Sequence, residues 1–421
     1  MSDCAPLSPN PLVLVFSALS RVVLRPFMRT WVRTTDEQRA RVPRATDAPA
    51  ARATGADPDR VLLVGNVGVL TAGVLAHDLA LTGHVARALA AATGRGTDVE
   101  TRADPDVTIE TMHSLLQGVR LWRYDAIVIL AGVANAAQLT PERRWRRALT
   151  ALLDDVLERA SASTQILVMG TQPLRSVSLY TGLPGAVADR HATLLNCATE
   201  SVCASRPRVS YRRLPSPSVP PGQPGSRGAV IHREWADAIV TALAPRLVAG
   251  ASAVDSARSL RNQPEPESER QAAVEAMGLP SHSADDRLTR ITDLARDLYR
   301  TSMAAVTVLD DTRHVNYSRL GFDLPEFPRA ASMCEATVRR DGATVYGDLW
   351  QDEYFQHVDA LRSDPQIRFY AGYPIESPDG YRIGSLCVMD AQPRDASQVD
   401  PGPLRDLAML VQKQLWAERA D

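Results

Sequence analysis

Residues 61–73, VLLVGNVGVLTAG, decide the fold of the first half of this chain. Four apolar residues run into Gly65, a glycine-bearing turn follows, and a helical pattern resumes beyond it. Strand, glycine turn and helix in that order open an α/β sheet and present a ligand or reactive group at the carboxyl end of the first strand. Working outward, YDAIVILAG (124–132) and QILVMG (165–170) are continuous apolar runs, as strands covered on both faces require. TDVETRAD (97–104) and RVSYRRLP (208–215) read as further strands. Helical patterns fall between them: 75–93 with Gly94 as its C-cap, 108–119, 140–160, 186–205 and 233–247. This alternation predicts a doubly wound parallel sheet.

At 421 residues the chain is long for one core, and two domains with a linker are expected. A net charge of −2 excludes a bulk nucleic-acid binder. Five dispersed cysteines (Cys4, Cys197, Cys203, Cys334, Cys387) argue for a reducing cytoplasm rather than a disulfide scaffold, and no His/Cys cluster suggests a metal; no cofactor is expected. Residues 11–19, PLVLVFSAL, are too short to span a bilayer. Arg21, Arg25, Arg29 and Arg33 recur along one helical face. They are read as the solvated side of a helix docked on the first domain, with weak contact of residues 11–33 with a membrane surface as the other reading.

Boundaries follow composition. Residues 1–59 form a basic amphipathic segment and linker, 60–248 the α/β domain, 249–266 a second linker and 267–421 a second domain. In the second, a helical region (269–299) precedes AAVTVLDD, HVNYSRLG, ATVYGDL, FYAGYPIES and RIGSLCVMD, strands joined by tight turns such as SPDGYR. A closing helix, PLRDLAMLVQKQLWAERA, completes an α+β domain with an antiparallel sheet.

The pattern over 60–247, with its glycine turn and the GVANA after the central strand, resembles the SGNH (GDSL-type) hydrolases and implies a flavodoxin-like sheet. Ester hydrolysis in that family needs a serine, a histidine base and oxyanion donors. Here Val67 or Val69 stands at the serine position and Asn66 at the aspartate position. GVAN (132–135) puts Ala134 in place of the oxyanion asparagine, with Asn135 one position later. His232 is the histidine candidate, but Ala229 replaces the aspartate before it. Thr71, His77, Asn135 and His232 are the residues from which a rearranged catalytic set could be drawn. Thr71 also suits a helix cap, and His77 with Asp78 a loop brace.

From Glu267 onward the blocks ASMCEATV, GDLWQDEYF and IRFYAGYPIESPDGYRIGSLCVMDAQPR resemble the GAF domains of bacterial signalling proteins. The resemblance implies a small-molecule cavity between the sheet and the loop of 320–370, and dimerisation through the flanking helices. Arg313, Tyr317, Cys334, Asp348, Trp350, Phe355, Arg368, Phe369 and Tyr373 are its candidate lining residues. Alternation along the strand at 369–373 offers a core role to several of them. Cys334 and Cys387 are read as inert thiols rather than redox or chromophore sites. The chain is thus expected to be a cytoplasmic regulatory protein, with a GAF sensor and a hydrolase-like domain that has lost its usual chemistry. The alternative is a GAF-regulated esterase.

Overall fold

The computed structural model describes residues 24, 26–28, 30–32, 45, 47, 49–55, 57–66, 74–176, 182–216, 227–250, 265–278, 286–353, 355 and 366–418. Val67, Val69 and Thr71 lie outside these residues, as do the four N-terminal arginines of the stripe. The chain divides into two compact units, Met1–Val254 and Asp255–Asp421.

The first unit is built on a six-stranded sheet: β1 (Ala50–Ala53), β2 (Asp59–Asn66), β3 (Thr97–Asp104), β4 (Ala126–Leu130), β5 (Gln165–Gly170) and β6 (Val209–Arg213). The order is β1-β3-β2-β4-β5-β6; β1 runs antiparallel to β3 and every other pair is parallel. The sheet changes winding direction between β2 and β4, so their carboxyl ends flank the crevice where such sheets bind ligands. Every residue of β4 is buried, as its AIVIL run requires. A Cβ at Gly65 would lie 2.2 Å from the Leu130 carbonyl oxygen, so glycine is needed for β2 to reach β4 at the crevice.

The helices are α1 (Leu81–Thr93), α2 (Val133–Ala137), α3 (Glu142–Arg159), α4 (Gly182–Ala204) and α5 (Arg227–Gly250). α1 packs on α5 and α3 on α4, as two helix layers flanking a sheet. Gly94 ends α1 in the left-handed region at φ +70°. In the helical stretch 24–32, Met28 is buried, and Leu24, Trp31 and Val32 pack against this unit's core.

Two expectations are corrected here. β1 falls within the stretch read as linker, as an edge strand added to β3. The helix expected over 108–119 is only a 3₁₀ turn at Met112–Leu116. Local side-chain bonds compete with the helix: Thr111 Oγ1 accepts from the Thr108 amide at 3.0 Å and Ser114 Oγ donates to the Thr111 carbonyl at 2.7 Å.

In the second unit, α6 (Glu267–Ala276) and α7 (Asp286–Tyr299) replace the single helical region of the sequence reading. Gly278, just beyond the Met277 cap of α6, has φ +59°. Six strands follow: β7 (Met303–Leu309), β8 (Arg313–Leu320), β9 (Glu326–Pro328), β10 (Thr344–Tyr346), β11 (Phe369–Glu376) and β12 (Arg382–Asp390). They form a wholly antiparallel sheet in the order β10-β11-β12-β7-β8-β9. One face packs under α6, α7 and the closing helix α9 (Gly402–Glu418); against the other lie Phe322, Met333, Leu349, Phe355 and the short helix α8 (Cys334–Val338). Among the described residues, no helix is long and apolar enough to cross a membrane.

Candidate functional site

At the carboxyl ends of β2 and β4 the side chains are already engaged. Asn66 Nδ2 donates to the Pro105 carbonyl at 2.7 Å. Gly132, at φ +114°, lets the chain turn into α2, and a Cβ there would meet Thr171 Oγ1 at 2.0 Å. Asn135 is buried and its amide is committed: Oδ1 accepts from the Ile109 amide at 2.9 Å, while Nδ2 donates to Glu110 Oε2 at 2.9 Å and Thr140 Oγ1 at 3.1 Å. Burial would raise the Glu110 pKa, but the Asn135 hydrogen bond and Arg144, 2.7 Å away, hold it below the ordinary carboxylate range. This network braces the turn and turns the Asn135 amide away from oxyanion work.

His77 donates its amide to Asp47 Oδ1 at 2.9 Å, and its Nδ1 lies 2.7 Å from the same oxygen. It sits in the 3₁₀ turn His77–Leu79, against β1. β1 is three strands from β4, about 14 Å at the usual strand spacing. His232 is buried in α5, edge-on to Trp235 with ring centroids 6.3 Å apart. His77 and Asn135 are held by different partners, Asp47 for His77 and Ile109, Glu110 and Thr140 for Asn135. Both hydrogen bonds of His77 to Asp47 tie the turn to residue 47.

In the second unit the β11 pleat sorts the sequence candidates. Phe369 and Tyr373 point to the helix side, into the cluster with Leu288, Leu404 and Val411, and Tyr317 packs against that cluster. These three are core rather than cavity residues, because side chains two apart on a strand share a face. Arg313 is held at the β7–β8 turn by Asp310 at 2.8 Å and Glu326 at 3.3 Å, and does not face the covered side.

On the covered face stand Cys334 and Phe355, with Tyr370, Cys387 and Met389. Phe355 meets Tyr346 edge-on at 5.2 Å. Asp348, Trp350 and Arg368 form a cluster at the end of β11. Arg368 pairs with Asp348, Asp348 Oδ1 accepts from the Trp350 amide at 3.2 Å, and the guanidinium stacks 4.8 Å from the Trp350 ring. The hydrogen bond from Arg368 lowers the Asp348 pKa.

A buried polar cluster occupies the centre of this face. The Cys334 and Cys387 sulfurs are 3.9 Å apart, and the Tyr370 hydroxyl is 3.5 Å from Cys334 Sγ and 2.6 Å from Thr337 Oγ1. Ser332 Oγ accepts from the Cys334 amide at 3.1 Å and lies 2.6 Å from His314 Nδ1; His314 Nε2 is 2.9 Å from Asn316 Oδ1. Burial opposes the thiolate at Cys334, but hydrogen bonding from Cys387 and the proximity of His314 hold its pKa well below the ordinary thiol value. Cys387, hydrogen-bonded to Cys334 and itself buried, is pushed well above it. Gly372, paired with Cys387 across the sheet, makes room: a Cβ there would lie 2.2 Å from the Tyr370 hydroxyl and 2.8 Å from Thr337 Oγ1.

Beside the cover opens a charged cleft of about 640 Å³, with Glu267, Arg270, Asp311, Arg329, Glu335 and Arg339 in its walls. Glu267 accepts from Arg270 at 2.7 Å and from Arg329 at 2.6 Å, and Arg329 also donates to Glu335 at 2.6 Å. Burial would raise the Glu267 pKa, but the two arginines bring it down to about 2. None of these residues was a sequence candidate. The Glu267–Arg270 spacing was readable as a helical ion pair, but its junction with Arg329 and Glu335 exists only once the chain folds. Among the described residues, no group of three His, Cys, Asp or Glu side chains is placed to hold a metal. Among the described residues, Cys203, Cys334 and Cys387 are free thiols.

No family model matches this chain. A cyclic di-GMP phosphodiesterase of Pseudomonas aeruginosa is 36% identical over 149 residues, 35% of this chain. The chain spans about a quarter of that relative, 24% of its length. Among solved structures, the GAF domain from an Acinetobacter phosphoenolpyruvate-protein phosphotransferase is 14% identical, covering 37% of this chain and 92% of that one at a TM-score of 0.24. A carbohydrate esterase family 2 enzyme of Corynascus thermopiles is 16% identical, covering 46% of this chain and 68% of that one at a TM-score of 0.36.

Proposed function

We propose that this chain is a regulatory protein whose second unit is a GAF-type small-molecule sensor, with an SGNH-like first unit that does not hydrolyse esters by the serine route. The observation that carries the reading is the 36% identity over 149 residues to a cyclic di-GMP phosphodiesterase, a length that the Asp255–Asp421 unit can hold. The covered sheet face supports it, because a cleft with charged walls beside an aromatic and polar interior suits a small amphipathic ligand. For the first unit, support comes from the strand order at the β2–β4 crevice, from valine at the nucleophile positions in the sequence, and from the commitment of Asn135 to Ile109, Glu110 and Thr140.

The test is thermal denaturation of the full chain across a panel of cyclic nucleotides, nucleotides, amino acids and short acyl compounds, with p-nitrophenyl acetate and butyrate turnover run alongside. A compound that binds only the native state raises the melting temperature, and ester turnover stays at the uncatalysed baseline. A flat panel sinks the sensor. Ester turnover abolished by His77→Ala or His232→Ala sinks the non-hydrolytic reading of the first unit and favours the regulated esterase.

A further inference from the structure

The sequence alone offered no redox or chromophore role for Cys334 and Cys387. The structure changes that by placing them face to face. Cys334 opens α8, in the segment that covers the sheet, while Cys387 lies on β12, in the sheet beneath it. Each is 1% exposed, and 3.9 Å separates the two sulfurs. A covalent S–S bond is about 2.05 Å, so the sulfurs have to close by about 1.9 Å.

The surroundings distinguish the two thiols. Tyr370 presents its hydroxyl to Cys334 Sγ at 3.5 Å, and Thr337, one turn along α8, holds that hydroxyl at 2.6 Å. Ser332 bonds the Cys334 amide and connects it to the buried His314. Cys387 Sγ faces the Ala305 carbonyl at 3.6 Å, an acceptor that does not favour a thiolate. Cys334 is thus the sulfur that ionises and attacks, and Cys387 the neighbour that resolves.

We propose that Cys334 and Cys387 are a peroxide-oxidisable dithiol that closes to a disulfide and staples α8 onto β12. The oxidant is a small hydroperoxide, with hydrogen peroxide matching the burial of the site. The Cys334 thiolate attacks one peroxide oxygen, the O–O bond breaks, and the departing hydroxide takes the proton that Cys334 released. Cys334 is left as a sulfenic acid. Cys387 sulfur then attacks the Cys334 sulfur, and the displaced hydroxyl leaves with the Cys387 proton as a second water. Two thiols lose two electrons in all, and one peroxide becomes two waters. The staple fixes the cover of the sheet, so oxidation and ligand access to this face are coupled. The thiol chemistry itself does not depend on the chain being a sensor.

The experiment treats the full chain with hydrogen peroxide, alkylates it under denaturing conditions and maps the peptides by mass spectrometry. The expected result is a Cys334–Cys387 crosslinked peptide, two hydrogens lighter than the reduced pair and reversed by a phosphine reductant, with Cys203 still alkylated. In Cys387→Ser, Cys334 stops as a sulfenic acid that dimedone traps. In Tyr370→Phe, which keeps the ring in place, crosslinking slows at least threefold. Recovery of both cysteines as free thiols, or their separate conversion to sulfinic acids without a crosslink, overturns the proposal. So does a Cys387→Ser chain whose Cys334 remains unlabelled by dimedone.

Discussion

Replacing Arg329 by alanine tests the charged junction most severely. Arg329 donates five hydrogen bonds: Nε to Glu335 at 2.6 Å, Nη1 to Glu267 at 2.6 Å and to the Asp310 carbonyl at 2.7 Å, and Nη2 to Glu267 and Glu335, each at 3.2 Å. It therefore joins α6, the β7–β8 turn and α8. Arg329 and Glu335 are 13% and 16% exposed, whereas Glu267 is 50% exposed. Taking its fork from the largely buried Glu335 carboxylate costs about 2 kcal/mol, less than for a fully buried pair, because Arg339 still meets Glu335 at 2.8 Å and the Asp310 carbonyl still accepts from Arg270 at 3.1 Å. The half-exposed Glu267 arm adds at most about 1 kcal/mol, screened by solvent and still held by Arg270. The sum is about 3 kcal/mol, equivalent to roughly a hundredfold faster opening. Hydrogen–deuterium exchange of the full chain reads this directly, in amides of α6, the β7–β8 turn and α8. Arg329→Lys keeps the charge without the fork and should recover part of the loss. A change below about threefold in those segments refutes the claim that this junction holds the cover.

Two more predictions follow from the same unit. Gly372→Ala sets a Cβ against the Tyr370 hydroxyl and Thr337, so it destabilises the unit by about 1–3 kcal/mol through overpacking, read by urea denaturation; a loss under about 0.5 kcal/mol contradicts that packing. The pH dependence rests on Glu267, Asp310, Glu335 and Asp348, whose folded pKa values all lie below their ordinary ones. A depressed carboxylate contributes stability above its unfolded pKa and loses it as pH falls through the folded value. For Glu267 that window runs from 4.5 down to about 2, so urea midpoints of this unit should fall progressively below pH 4.5, and less steeply in high salt. Midpoints unchanged between about pH 5 and pH 3 contradict the assignment.

Much of the fold could be read because local chemistry and tertiary structure agree. VLLVG and AIVIL are strands because a sheet covered on both faces needs unbroken apolar runs. Gly94 is a C-cap because only glycine enters the left-handed region freely. Failures came where tertiary contacts or short-range polar bonds won. β1 gives little signal of its own and exists through pairing with β3. Thr108, Thr111 and Ser114 diverted a helical pattern into a 3₁₀ turn. At the sites, residue type was legible but facing was not. Phe369 and Tyr373 were correct aromatics on the wrong side of the pleat, while Tyr370 between them lies beside Cys334. The contact of Cys334 with Cys387, 53 residues apart in sequence, depends on how the cover folds over the sheet, and no spacing rule reveals it.

The central claim is that small-molecule binding belongs to the second unit. Hydrogen–deuterium exchange of the full chain, with and without the panel compound that raises its melting temperature most, tests it directly. The account predicts added protection in 329–351 and 366–373, around the cover, the Asp348–Arg368 pair and β11, with residues 59–247 unchanged. Protection confined to the ends of β2 and β4 in the first unit would contradict it.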